Sequence, residues 1–562
     1  MESSNAFWII LQRLRTPLIV LIVTYAIAIL GMVIIPGADG NGNPYHLTFF
    51  DAFYFVSYTA STIGFGETPY DFTYPQRLWV MVVIYITVIG WFYTIGALVA
   101  IITDKTLNQE LLKGKFVRQV QKLNREFVII LGYNYVHSEV IKKLTKADID
   151  VVVIEQDEEK LNLFQLDESS MGVPVMVADA LLTSTLKEAG VGSPYCRAVV
   201  SHFYKEEKNL RITILTRFIN PTVKVITKAT YEDTMTSILD TDVAKIENPF
   251  EIFAKRFDIA LTAPHILTLE NWIYKNADLT DEASLLPNGR YIICGYGRLG
   301  KLLQEKLDKH GMDYMIIDEH VIPSQTMIEN ETFIRANADN KDVLLEAGIE
   351  SASVLVAGTQ NDIDNISILV TAKKINPDLY LIARANTMKE FTIFEETGAN
   401  WLFMIEKILI NKTSLQLSQP LKHAFLKKIL YKDENWGTSL VNLLKAQLGV
   451  NPQLLHLTIN EEKAYAIYSA IKENESIPLN VLLKSLEDWK SYHKAIPLFL
   501  KRNGEEFLLP SNEILEIGDQ ILFACNKESR EEIELIASNI YDLQYVRTGE
   551  DKENWLLSKI FK

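Results

Sequence analysis

Hydrophobic positions divide this chain into two unequal parts. Before Thr103 they form long runs. Leu18 to Ile35 is apolar, interrupted by one Gly and one Thr, about 18 residues and so enough to cross a bilayer as a helix. A second run, from about Leu78 to Thr103, can cross with tilt and project beyond the membrane. Between them, Phe49 to Thr59 is aromatic and apolar but too short to span, which predicts a short helix that dips in and returns. After Thr103 short apolar runs alternate with amphipathic stretches, the strand–helix alternation of an α/β protein.

Charge orients the spans. Pro36 to Pro75 contains no Lys or Arg, whereas Lys105, Lys113, Lys115 and Arg118 follow the second run. The positive-inside rule then puts both termini in the cytoplasm and the intervening loop outside. Arg13 and Arg15 ahead of the first run suggest a signal peptide, but that run is long, lacks an Ala-x-Ala site and is followed by a second span. No apolar helix carries arginines at every third position, so a voltage sensor is not indicated.

The loop between the spans carries the chemistry. Its aromatic stretch leads into Thr62-Ile63-Gly64-Phe65-Gly66-Glu67. Non-helical backbone at membrane depth survives only where protein or an aqueous pore surrounds it. A potassium filter needs stacked backbone carbonyls to replace the ion's water shell, and alternating glycines permit the angles that turn successive carbonyls inward. Thr62 would add its hydroxyl at the inner mouth, and Phe65 would pack outward against the pore helix. The segment resembles the pore domain of two-transmembrane potassium channels, whose filter is commonly Thr-Val-Gly-Tyr-Gly-Asp. Ile63, Phe65 and Glu67 keep its shape and charge, but the missing hydroxyl at Phe65 removes a brace and puts filter rigidity in doubt. The resemblance implies potassium ions in the filter, a homotetramer in the lipid bilayer and a gating hinge at a glycine of the second span. Gly90 and Gly96 each lower helix propensity by about 1 kcal/mol, and Gly90 lies nearer the middle. Close helix packing is the other reading of both.

The remainder contains a duplication. Phe127-Val-Ile-Ile-Leu-Gly132 and Tyr291-Ile-Ile-Cys-Gly295 each precede a helix. Each is followed by an apolar strand ending in acid, Glu155 or Asp318, then by Val177-Ala-Asp179 or Asn337-Ala-Asp339. Later strands in both run into a basic residue, Lys228 or Arg384. This spacing predicts two parallel sheets of the Rossmann type. The second copy holds the full Gly295-x-Gly297-x-x-Gly300 pattern, with Arg298 and Leu299 between the glycines. Such glycines allow a tight turn, backbone approach to a pyrophosphate and close helix–strand packing. The phosphates would meet free amides at the helix N-terminus, and Asp318, about twenty residues on, stands where a ribose-hydroxyl acceptor belongs. In the first copy Asn134 and His137 replace two of the glycines, which predicts a structural or altered-ligand copy with Glu155 and Asp179 as solvated strand ends.

From about Phe127 to Leu409 the repeats resemble RCK domains, also called TrkA-N or KTN units. The resemblance implies a gating ring of eight units in a tetramer, with Arg298, Asp318, Asp339 and Arg384 as nucleotide contacts. It also implies that the amphipathic stretch from Asn248 to Leu285 is a crossover locking units into pairs. Ile496 to Ala524 reads as strand, turn, strand, Gly-Asp and strand, like the C-terminal lobe of RCK regulators, whereas residues 431–490 follow no clear pattern.

The expected architecture is a membrane α-helical pore, of two transmembrane helices with pore helix and filter, fused to tandem α/β Rossmann-type RCK domains and an α+β C-terminal lobe. Residues 1–103 form the pore domain, 104–126 a linker, 127–248 and 289–412 the Rossmann units, 249–288 the crossover and 413–562 the lobe. Composition narrows the partners. The net charge of −15 gives a nucleic-acid partner no support, and the three cysteines fit no disulfide or metal spacing. No His/Cys/Asp constellation among the nine histidines suits the alternative of a membrane-anchored nicotinamide oxidoreductase, and that alternative leaves the filter unexplained. A regulatory subunit of a separate transporter would lack its own spans. The expectation is a potassium channel, not an enzyme, in the cell (inner) membrane with a large cytoplasmic C-terminal region, gated by NAD or an adenine nucleotide. Calcium as a further ligand, and any metal site, stays open.

Overall fold

The structure, a computed structural model, describes residues 3–280 and 285–549. It has two compact units, a membrane unit built on residues up to Asn124 and a soluble unit built on those from Arg125 onward.

The membrane unit consists of α1 (Ser3–Ile34), α2 (Phe49–Ala60), α3 (Tyr74–Ile102) and α4 (Lys105–Gln121). Both long helices begin earlier than their apolar runs. For α3 the reason is local: Thr73 and Gln76 form a capping box, with Pro75 in the first turn. Leu11–Ile34 and Tyr74–Ile102 are long and apolar enough to span a membrane, and only 22% and 17% of an 18-residue apolar window in each is buried inside the protein, as lipid-facing helices require. Helices α1 to α3 pack around Ala28, Met32, Ala52, Val56, Tyr58 and Val83. Gly31 leaves room for Trp79, whose ring atoms would lie 2.1 Å from a Cβ at position 31. The Trp79 indole N–H donates to the Ala28 carbonyl at 3.2 Å.

The soluble unit contains two six-stranded parallel sheets. The first has β1 (Phe127–Leu131), β2 (Asp150–Glu155), β3 (Val175–Val177), β4 (Cys196–Ser201), β5 (Lys224–Lys228) and β6 (Ala244–Glu247). The second has β7 (Tyr291–Cys294), β8 (Tyr314–Ile317), β9 (Phe333–Ile334), β10 (Val354–Ala357), β11 (Tyr380–Ala385) and β12 (Trp401–Met404). Their orders are β3-β2-β1-β4-β5-β6 and β9-β8-β7-β10-β11-β12, the doubly wound Rossmann arrangement that places a ligand crevice at the carboxyl ends of the strands. Every residue of β1 and β7 is buried, which explains their unbroken apolar sequences.

The crossover forms helices Pro249–Thr262 and Pro264–Tyr274. Asn248 caps the first by accepting from the Phe250 amide at 3.1 Å. Phe253 packs at a tilt against Trp401 and Phe403, with ring centroids 4.8 and 4.6 Å away, so the chain leaving the first sheet seals one side of the second. The helix Ile405–Ser418 continues through the expected boundary at residue 412. The lobe's antiparallel sheet has order β13-β16-β14-β15, made of β13 (Gln453–Thr458), β14 (Ala495–Arg502), β15 (Glu505–Leu508) and β16 (Gln520–Cys525). The stretch that the sequence pattern left unplaced supplies helix Glu434–Leu448, edge strand β13 and helix Tyr465–Lys472.

Candidate pore filter and nucleotide cleft

Thr62, Gly64 and Gly66 have φ of +60°, +63° and +73°, with Ile63 and Phe65 between them outside that region. Alternation of this kind turns successive carbonyls toward the same side, the geometry a filter requires. Pore helix α2 feeds directly into the loop. Its Tyr58 carbonyl accepts from the Ile63 and Gly64 amides at 3.0 and 3.2 Å. The hydroxyl absent at Phe65 is compensated from α2: Tyr58 donates to the Glu67 carbonyl at 3.0 Å and Tyr54 to the Glu67 carboxylate at 3.1 Å. The Phe65 ring meets Tyr58 edge-on with centroids 6.2 Å apart. The aromatic richness of α2 was legible in the sequence; its service as a hydroxyl brace was not.

The two hinge candidates differ. A Cβ at Gly90 would lie 2.8 Å from the Thr24 hydroxyl of α1, whereas Gly96 faces open space. Gly90 thus lets α1 and α3 approach closely. Nothing within 4 Å restrains Gly96.

In the second Rossmann repeat the three glycines take separate roles. Gly295 has φ +101° and sits against Gly358 and Thr359, 3.1 Å from where its Cβ would be. A Cβ at Gly300 would strike the Gly295 carbonyl at 2.2 Å, while that of Gly297 would meet nothing within 4 Å. The loop is therefore tight behind and open in front, which fits a phosphate at the start of helix Arg298–His310. Leu299 is 1% exposed, so its side chain belongs to the core and only its backbone faces the loop.

Asp318 is brought to the loop. One carboxylate oxygen accepts from the Tyr296 amide at 2.7 Å, the other from the His320 and Val321 amides at 2.9 Å each. Burial raises its pKa, but those three amides and the nearby His320 outweigh it and hold the carboxyl below the usual aspartate range. With about four lone-pair sites per carboxylate, one site remains for a ribose hydroxyl. Asp339 is exposed and accepts from the Ser367 hydroxyl. Arg298 and Arg384 come together over the Phe250 ring, 4.7 and 5.2 Å from its centroid; sequence reasoning overlooked Phe250, which read only as crossover.

The first repeat differs in kind. Asn134 caps the helix Tyr135–Lys146 by accepting from the His137 amide at 3.0 Å. Strand register pairs Leu131 with Ser201 and Cys294 with Ala357, so His202 matches Gly358 as His137 matches Gly300. These two imidazoles stack, with centroids 5.5 Å apart and planes 10° apart. At the matching positions of the second repeat a Cβ would lie 2.2 Å from the Gly295 carbonyl at Gly300 and 3.3 Å from the Cys294 carbonyl at Gly358. Burial, then the neighbouring His202, pushes His137 down to about 3, so it is neutral. Glu155 corrects an expectation: far from a solvated strand end, it is 8% exposed and accepts from the Tyr133 amide at 2.5 Å. Among the described residues no three His, Cys, Asp or Glu side chains are poised to hold a metal.

These features define a class: a channel-type pore subunit carrying paired Rossmann regulatory domains. Residues 17–104 match the ion channel family model, and residues 128–249 and 291–405 the TrkA-N domain, together more than half the chain. The chain belongs to the two-transmembrane potassium channels with RCK (TrkA-N) domains, not to an enzyme family. Potassium channel protein 1 of Methanocaldococcus jannaschii is 35% identical over 116 residues, 20% of this chain and 35% of that protein. The putative cation/proton antiporter YbaL of Escherichia coli is 34% identical over 131 residues, 22% of this chain and 23% of that protein. The chain thus spans about a third or less of those relatives' length. Among solved structures, the GsuK channel bound to NAD aligns over 94% of this chain and 99% of its own, with TM-score 0.50 and 13% identity, a likeness of fold.

Proposed function

We propose that this chain forms a potassium-selective channel whose opening is set by a nucleotide at the second Rossmann repeat. The carrying observation is the alternation of positive φ at Thr62, Gly64 and Gly66 at the end of a membrane-depth helix. Four copies would surround one pore in the cell inner membrane, with eight Rossmann repeats forming a cytoplasmic ring. Arg298, Asp318 and the loop from Gly295 to Gly300 would hold NAD or an adenine nucleotide, a reading supported by the open front of that loop and by GsuK structures bound to NAD and to ADP. The ligand acts by linkage: it shifts the closed–open equilibrium only by its differential affinity for the two ring conformations. Helix α4 connects the inner helix to the first repeat and would carry the strain. Purified channel in planar bilayers under a potassium/sodium gradient tests the selectivity. Current should reverse near the potassium equilibrium potential and be blocked by barium; equal permeability to both cations rejects the filter.

A further inference from the structure

The first sheet is packed with polar groups where the second is packed with apolar ones. Strand register pairs Lys228 with Glu247 and Arg384 with Phe403, so Glu247 matches Phe403. The helices that follow, Pro249–Thr262 and Ile405–Ser418, are equally long, and each leads into a helix beginning on proline, Pro264 or Pro420. Thr413 therefore matches Phe257, and His423 matches Leu267. Phe403, Phe257 and Leu267 all belong to the hydrophobic core. With His137 and His202 in place of Gly300 and Gly358, five matched positions are polar or titratable around the first sheet and apolar or glycine around the second.

Glu247 lies at the centre of this set. It is fully buried, and its Oε2 accepts from the Thr413 hydroxyl at 2.7 Å while its Oε1 has no hydrogen-bond partner. Thr413 stands on the helix Ile405–Ser418, which leaves the second repeat and packs against Tyr135–Lys146 of the first, so this contact crosses the joint between the repeats. The Nε2 of His202 is 3.4 Å from the same Oε2, and neither ring nitrogen of His202 has a hydrogen-bond partner. Among the described residues no Lys or Arg nitrogen lies within 4 Å of Glu247. Lys228 ends the adjoining strand, but its ammonium rests 5.6 Å from the Tyr204 ring centroid. Burial, then Glu270, raises the Tyr274 phenol, with a smaller push from Glu247, and Arg256 beside it is held by Glu270 at 2.7 Å. In the cleft that His202 borders, Lys205, Lys228, Arg298 and Arg384 stand with Glu206, Glu207 and Glu406. Burial, then Lys412, Lys245 and Lys427, pulls His423 down to about 4 against the charge of Glu247. His423 and His137 are both neutral, which leaves His202 as the imidazole beside the carboxylate.

We propose that the first repeat is a proton-binding unit, in which one proton held between His202 Nε2 and Glu247 Oε2 ties that repeat to the helix Ile405–Ser418. A buried carboxylate with one hydrogen bond and no cation is costly. A proton on His202 turns the facing pair into a charge-assisted hydrogen bond, and the carboxylate then joins the imidazolium to Thr413 across the joint. Without the proton the carboxylate is left uncompensated, and the joint opens locally more often. The proton belongs to the packed state, so rising pH favours the opened one. The site needs no nucleotide and is independent of the reading of the second repeat given above.

Hydrogen–deuterium exchange on the detergent-solubilised full chain, corrected for the intrinsic effect of pH on amide exchange, tests this at the segment Ile405–Ser418. In the wild type, protection there should fall at least about tenfold between about pH 6 and about pH 8, where histidine ordinarily changes charge. Glu247→Gln keeps an acceptor for Thr413 without the charge, and His202→Gln keeps a polar side chain that does not titrate. In each, the fall should shrink to less than about twofold, with the segment still protected at both pH values. His137→Gln and His423→Gln should retain the wild-type fall, since neither ring holds the proton. Wild-type protection that does not change with pH overturns the proposal, whether or not any variant folds. A full fall that survives in Glu247→Gln or in His202→Gln overturns it too.

Discussion

Gly64 has nothing within 4 Å of where a Cβ would stand, yet its φ is +63°. An alanine there fits sterically and is opposed by the backbone, at roughly 1–2 kcal/mol per left-handed L-residue, repeated around the proposed tetramer. Gly64→Ala should abolish single-channel conductance while the assembled channel is still recovered by gel filtration. Normal conductance in that variant contradicts the filter. Asp318 supports a second prediction of the same size. A 2′-phosphate would face its carboxylate and neighbouring Glu319, so NAD should bind the soluble part at least about tenfold more tightly than NADP, or roughly 1.4 kcal/mol. The carboxyl is held below its ordinary pKa, so the discrimination is fully present above the ordinary aspartate range and is lost as pH falls through the depressed value. Asp318→Ala should narrow the gap; tighter binding of NADP than of NAD shows that Asp318 does not read the ribose.

Whole elements follow sequence pattern more closely than individual side chains do. The spans, the pore helix, both sheets and the final hairpin were legible, because period, run length and glycine spacing report backbone geometry directly. Asn134 and His137 signalled that the first cleft differs. That His202 stacks on His137 was hidden, since it depends on strand register, which brings together residues 65 positions apart in the chain. Edge strand β13 escaped for a similar reason: it pairs with β16, far along the chain. The asymmetry predicts one nucleotide per chain. Gly297→Asp should remove it by filling the loop's open front and repelling phosphate. Asn134→Asp, at the matching position of the first repeat, keeps a helix cap and should leave the stoichiometry unchanged. Gly132 is a poorer control, because its φ is +85° and a Cβ there would lie 3.2 Å from Phe203. Calorimetry that finds two equivalent sites per chain contradicts the reading.

At the scale of the whole molecule the proposed gating joins two equilibria, ligand occupancy of the second repeat and the conformation of the pore. Gly90 packs against Thr24 of α1, whereas a Cβ at Gly96 would meet nothing within 4 Å. Coupling requires only that the nucleotide prefer one ring conformation; a preference of about 1.4 kcal/mol shifts the closed–open ratio tenfold. The most direct measurement is single-channel recording in bilayers, with NAD or ADP added to the cytoplasmic side of the wild type and of Gly297→Asp. The account predicts potassium-selective openings whose open probability changes with nucleotide in the wild type, and unchanged conductance with no nucleotide response in Gly297→Asp. An open probability that ignores nucleotide in the wild type, or responds equally in both proteins, contradicts it.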